Sequence, residues 1–172
     1  MKKIQAHLIG EIVQSNDPLA MGLSKKSALG EQVGDKIQYS LSEAYFLVET
    51  EKLEIIQGNK KLAKTEVIKK FNKIDKKFQI KYPIYKDLRE KGYIVKTALK
   101  FGADFRVYEK GAKPGKKHAQ WIVFVEHESK KSTWHEFSAK NRVAHSTKKN
   151  LLIAILDEES DVTYYEVKWI KP

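Results

Sequence analysis

Residues 101–111, FGADFRVYEKG, run through a Gly/Pro loop to His118 and the strand-like QWIVFVEH, and residues 142–156, RVAHSTKKNLLIAIL, carry a helix end into a second apolar strand. FRVY and QWIVFV are short runs rich in β-branched and aromatic residues. Gly111, Pro114 and Gly115 between them suit a loop, so the two runs pair across a hairpin-like connection. LLIAIL is apolar on both faces, as a strand inside a sheet should be. Thr133-Trp134-His135-Glu136 has the spacing of a capping box and opens a helix to about residue 147, leaving Lys148 and Lys149 at its C-terminal end. With IVKTALK before it and VTYYEVKWI after it, this region reads as a mixed α/β domain of four or five strands.

Upstream the pattern changes. Residues 3–13 and 33–39 are β-like and separated by glycine and serine turns, giving a small sheet with a mobile loop over residues 17–30. Ser40-Leu41-Ser42-Glu43 is another capping box and starts a helix carrying Ala44, Leu47 and Val48, which the spacing extends to near Gly58. A second helix from about Leu62 places Val67, Ile68, Phe71, Ile74 and Phe78 on one face, with a solvated lysine face elsewhere. Pro83 suits the first turn of a third helix over residues 84–91, ended by Gly92. The expected division is 1–78 and 79–172.

Composition narrows the class. The chain has 172 residues, 41% hydrophobic, with 33 Lys and Arg against 22 Asp and Glu and a net charge of +11. That is enough for a real core, and the charge favours a polyanion, nucleic acid first, because neutralised phosphates release counterions. No apolar run approaches the roughly 18 residues of a spanning helix, and the N-terminus has no signal-peptide pattern, so a cytoplasmic protein with no membrane partner is expected. There is no cysteine, which excludes disulfides, thiolate zinc sites and catalytic thiols.

Tyr108 and His118 flank the loop between two paired strands, and Lys149 arrives at the edge of a third. Self-cleavage of RNA at a 2′-hydroxyl needs proton removal from that hydroxyl, charge stabilisation on the phosphorane and protonation of the 5′-oxygen. Tyr108, Lys149 and His118 match these in order. A histidine titrates near neutrality and suits the acid. An ordinary phenol is only about one part in a thousand ionised at pH 7, so the tyrosine either has help from a cation or orients the hydroxyl. No metal or other cofactor is required.

On these residues the chain resembles the archaeal tRNA-splicing endonuclease family: YPIYKDLREKGYIVKTALKFGADFRVYEKG, His118, RVAHSTKKNLLIAILD and VTYYEVKWIKP match in order, and the first half matches only through its small sheet and LSEAYFL. The resemblance implies an α+β fold, with a small N-terminal α/β domain before a C-terminal domain whose central sheet is restriction-endonuclease-like. It implies cleavage of the bulge-helix-bulge of precursor tRNA without metal, leaving 2′,3′-cyclic phosphate and 5′-hydroxyl ends. It assigns catalysis to Tyr108, His118 and Lys149, and the grip on a flipped bulge base to Arg142. A partner for Arg142 comes from Tyr164, Tyr165 or Trp169, with Trp169 taken as the RNA-binding residue. It further implies pairing of C-terminal domains through the last strand, docking of the acidic loop 157–161 into a neighbour, and a homotetramer or a heterotetramer with a structural subunit. Two rival readings are a non-catalytic RNA-binding or assembly subunit, and a Mg-dependent nuclease built on Asp104, Glu128 and Lys130.

Overall fold

The computed structural model describes residues 2–172. In chain order the elements are β1 (Ile4–Ile9), β2 (Ile12–Ser15), α1 (Pro18–Ser27), β3 (Glu31–Val33), β4 (Lys36–Tyr39), α2 (Leu41–Glu49), β5 (Leu53–Gln57), β6 (Lys60–Lys61), α3 (Lys64–Ile74) and α4 (Phe78–Glu90). There follow β7 (Ile94–Thr97), a 3-10 turn at Leu99–Phe101, β8 (Phe105–Tyr108), β9 (Trp121–His127), α5 (Trp134–Ser146), β10 (Asn150–Leu156) and β11 (Val162–Val167). The fold is α+β, with two mixed sheets. The chain divides into two compact units, one ending at Gln79 and the other running Ile80–Pro172.

In the first unit the strand order is β3-β4-β2-β1-β5-β6, with β1 and β5 parallel and the other pairs antiparallel. Alternation along β1 buries Ile4, Ala6 and Leu8 and exposes the residues between them, the period-2 signature of a half-buried strand. The capping box at Ser40 is formed: the Glu43 N–H donates to Ser40 Oγ at 3.2 Å, and Glu43 accepts from the Ser40 N–H at 2.9 Å and from the Gly30 N–H at 3.1 Å. This carboxylate is buried, and its bonds to backbone donors are what make that tolerable.

Four sequence expectations change. Residues 17–30 are no mobile loop but contain α1, whose cap is Asp17 accepting from the Leu19 N–H at 2.9 Å and whose first position is Pro18. It buries only Ala20, so no apolar stripe announced it. The helix begun at Ser40 stops at Thr50, and Leu53–Gln57 instead pairs with β1 and turns back through Gly58 into β6. Phe78 belongs to α4, not α3, though its ring still meets Phe71 edge-on at 5.4 Å. Pro83 lies inside α4 rather than at its start. The helix survives the one missing rung at Pro83 because burial of Phe78, Tyr82, Ile84, Tyr85 and Leu88 holds it.

The second unit orders its strands β11-β10-β9-β8-β7. Only β9 and β10 are parallel, joined by the crossover helix α5. Ile122, Phe124, Ala144 and Leu151 form its core together with Ala98 and Ala103, and Tyr85 of α4 meets Phe105 at 5.9 Å. Full burial of a side chain the size of Ile122 or Leu151 contributes about 1.5–3 kcal/mol. No helix among the described residues is long and apolar enough to cross a membrane.

Candidate active site

Two backbone hydrogen bonds bring three distant segments to one level of the second sheet. The Gln120 N–H donates to the Val107 carbonyl at 2.9 Å, and the Asn150 N–H donates to the Gln120 carbonyl at 2.9 Å. Tyr108 follows Val107, His118 stands two residues before Gln120, and Lys149 precedes Asn150. Sheet pairing therefore sets the spacing of all three.

Tyr108 ends β8, is 4% exposed, and packs in a small cluster with Ala112, Ala119 and Ile94. His118 is exposed at the end of a tight turn in which the N–H groups of Lys116 and Lys117 both donate to the Lys113 carbonyl, at 3.0 and 3.1 Å. Gly115 enters that turn at φ +89°, a conformation suited to glycine. Lys149 is delivered by the end of α5. Lys148 adopts φ +56°, its N–H donates to the His145 carbonyl at 3.0 Å, and the Lys149 N–H donates to the Ala144 carbonyl at 2.9 Å. This is a Schellman closure, with lysine in the left-handed position usually given to glycine.

Tyr108, His118 and Lys149 line one cavity of about 290 Å³, with Phe101, Arg106, Gly115, Lys116, Lys117 and Ala119. No carboxylate stands among the described residues that line it. The Lys149 ammonium donates to the Thr147 carbonyl at 3.2 Å and lies 5.7 Å from the centre of the Phe101 ring, so a neutral acceptor and a π face hold it in place. The Arg106 guanidinium lies 6.0 Å from the centre of the Tyr108 ring. Such a site can place a phenol, an imidazole and an ammonium around one phosphodiester. Sequence reasoning passed over Phe101, Arg106, Lys116 and Lys117. Arg106 had a signal, since it shares a strand face with Tyr108, as did the two lysines beside His118.

Arg142 and Trp169 are not among the cavity's lining residues. Arg142 is exposed on α5, and the Trp169 ring packs against His145 of the same helix, tilted by 55° with centroids 4.2 Å apart. Tyr164 is engaged elsewhere, donating its hydroxyl to Asp87 at 2.6 Å. Of the rival metal site, Glu128 and Lys130 line one cleft without Asp104, and each of the three has another partner. Asp104 accepts from the Val125 N–H at 2.8 Å, Glu128 accepts from the Glu158 N–H at 2.9 Å, and Lys130 pairs with Glu126 at 3.0 Å.

Comparison with known proteins then decides the family. The family model of the tRNA intron endonuclease catalytic C-terminal domain matches residues 78–164, and that of the N-terminal domain matches residues 4–68. The chain belongs to the tRNA intron endonuclease family. It is 43% identical to the tRNA-splicing endonuclease of Pyrococcus abyssi over 173 residues, covering 99% of each chain. Identity to that of Thermococcus kodakarensis is 43%, covering 96% of this chain and 97% of the relative, and to that of Methanothermobacter thermautotrophicus 39%, covering 99% of each. An enzyme of this tRNA intron endonuclease family removes introns from precursor tRNA by endonucleolytic cleavage, and the cavity lined by Tyr108, His118 and Lys149 lies within the part matched by the catalytic domain.

Proposed function

We propose that this chain cuts the bulge-helix-bulge of precursor tRNA by transesterification at the 2′-hydroxyl, with Tyr108, His118 and Lys149 as the reacting groups and no metal in the chemistry. The observation that carries the reading is the gathering of those three side chains, from three separate segments, around one cavity that no described acid lines. Tyr108 receives or orients the 2′-hydroxyl proton as that oxygen attacks phosphorus. The Lys149 ammonium stabilises the extra negative charge of the phosphorane. His118 gives a proton to the 5′-oxygen as the P–O5′ bond breaks. The products are a 2′,3′-cyclic phosphate and a 5′-hydroxyl.

Arg142, exposed on α5, is proposed to grip an unpaired bulge base, with Trp169 as its neighbour, since a guanidinium and an indole both stack on bases. Assembly through β11 is the matching proposal. β11 is an edge strand carrying exposed Tyr165 and followed by exposed Trp169 and Ile170, and a two-fold copy would place a second site for the second cut. The acidic turn after β10 is closed by Asp157, which accepts from the Glu159 and Asp161 N–H groups at 2.9 and 2.8 Å. Its outward Glu158 and Glu159 suit docking into a basic neighbour. A homotetramer satisfies all of these features, and a heterotetramer with a structural subunit is the second arrangement.

The test is cleavage of a minimal bulge-helix-bulge RNA in excess EDTA with analysis of the ends. Cyclic phosphate ends and retained activity are expected. Loss of cleavage in EDTA, or full rates in His118→Ala and Lys149→Ala, would overturn the reading.

A further inference from the structure

The cavity holds more positive charge than one scissile phosphate requires. Lys149 and His118 serve that phosphate in the proposed chemistry, yet Lys116 and Lys117 line the same 290 Å³ space, and no carboxylate is among its described lining residues. The two lysines are not free to wander with a loose loop, because their backbone N–H groups are both tied to the Lys113 carbonyl and residue 117 bridges to Pro114. The cavity also has a direction. Arg106 and Tyr108 reach it from β8, while Lys116, Lys117 and His118 reach it from the turn that follows.

We infer that Lys116 and Lys117 form a subsite for the RNA backbone on the 3′ side of the cut, taking the first phosphate or phosphates downstream of the scissile one. The inference rests on the proposed roles of Tyr108 and His118. The 5′-oxygen that His118 protonates belongs to the nucleotide 3′ of the cut, and the two lysines immediately precede His118 in the same turn. The 2′-hydroxyl belongs to the nucleotide on the 5′ side, where Tyr108 and Arg106 stand. The lysines thus read strand polarity without reading sequence, since phosphate contacts position a strand and carry no base information. Their contribution is ionic, so it belongs in binding and in its salt dependence, not in the chemical step.

The experiment uses the full chain and a bulge-helix-bulge RNA made uncleavable by a 2′-deoxy nucleotide at the cut. Lys116→Ala/Lys117→Ala is expected to bind it about 10-fold or more weaker at low salt. The slope of log K against log salt should flatten by about 1.4 for two single-strand contacts. A neutral methylphosphonate at the first linkage 3′ of the cut should weaken wild type and leave the double variant nearly unaffected. The same substitution 5′ of the cut should weaken both alike. Lys69→Ala/Lys73→Ala, which removes two charges from exposed positions of α3, should show no such coupling. On cleavable RNA at saturation the Lys116/Lys117 variant should cut within about 3-fold of wild type.

Unchanged affinity and slope, coupling to the 5′ linkage, or a lost cleavage rate at saturation with binding intact would each overturn the subsite. Because the decisive readout is binding to RNA that cannot react, these outcomes are separate from failure of the catalytic assignment, which His118→Ala and Lys149→Ala report.

Discussion

β9 begins beside one cavity and ends beside another, and the two treat their lysines in opposite ways. At the start, Lys116, Lys117 and Lys149 line a space that no described acid enters. At the end lies a cleft of about 370 Å³ lined by Glu126, Lys130, Trp134, Phe137, Lys140, Ile153 and Ile155. There Glu126 accepts from Lys130 and from Lys140, both at 3.0 Å. Its carboxylate also holds Lys130 above the ordinary lysine pKa, through the hydrogen bond first and the charge second. A net charge of +11 does not say where a polyanion binds. The distribution of acids is what sets the two cavities apart.

The comparison breaks most readily at the first cavity. His118→Ala and Lys149→Ala should each lower single-turnover cleavage by about 10²–10⁴-fold, with urea denaturation midpoints near wild type. If Lys130→Ala or Lys140→Ala lowered cleavage as much, the distinction between the two cavities would be gone.

A smaller effect is expected at the far cleft. Glu126→Ala leaves Lys140, whose side chain is 16% exposed, without the partner at 3.0 Å. The expected loss is about 2 kcal/mol of stability in urea denaturation, because a poorly solvated charge loses its partner, with the cleavage rate retained. Thr133→Ala should lose about 1 kcal/mol by removing the hydroxyl that accepts from the Glu136 N–H at 3.2 Å. That change too should spare the chemistry.

The smallest effect concerns a third assignment of an acid, Asp87, which binds Lys91 and the Tyr164 hydroxyl, both at 2.6 Å. Burial, then the hydrogen bond to Asp87, then its negative charge all raise the Tyr164 pKa. A raised pKa means the folded chain keeps this proton more tightly than the unfolded one. The stabilisation is therefore complete below the ordinary phenol value near 10 and is lost as pH climbs beyond it. Tyr164→Phe should cost somewhat under 1 kcal/mol at pH 8, given partial exposure, and the gap from wild type should close above pH 10. A gap that widened there would reverse the sign.

Much of this was legible because local chemistry declared it. Both capping boxes, the loop between Tyr108 and His118, and the helix end before Lys149 follow from residue types at fixed spacing. What escaped notice had weaker or competing signals. α1 shows Asp17-Pro18, a good start, but no apolar stripe. The apolar run after Thr50 looks like more helix until Gly58-Asn59 is taken as a two-residue turn. Pro83 reads as a helix start only if burial on both sides of it is ignored. Phe101 was out of reach, since its place beneath the Lys149 ammonium depends on a 3-10 turn that sequence spacing does not foretell.

The parallel pairing of β9 with β10 has one more consequence. Because the strands run the same way, His118 and Lys149 are delivered to the same rim; reversing β10, which is seven residues long, would carry the lysine about 20 Å away. The opposite rim, where residues 128–133 leave β9 for α5, carries none of the three residues proposed to react. An insertion at that rim is expected to leave the spacing of His118 and Lys149 unchanged.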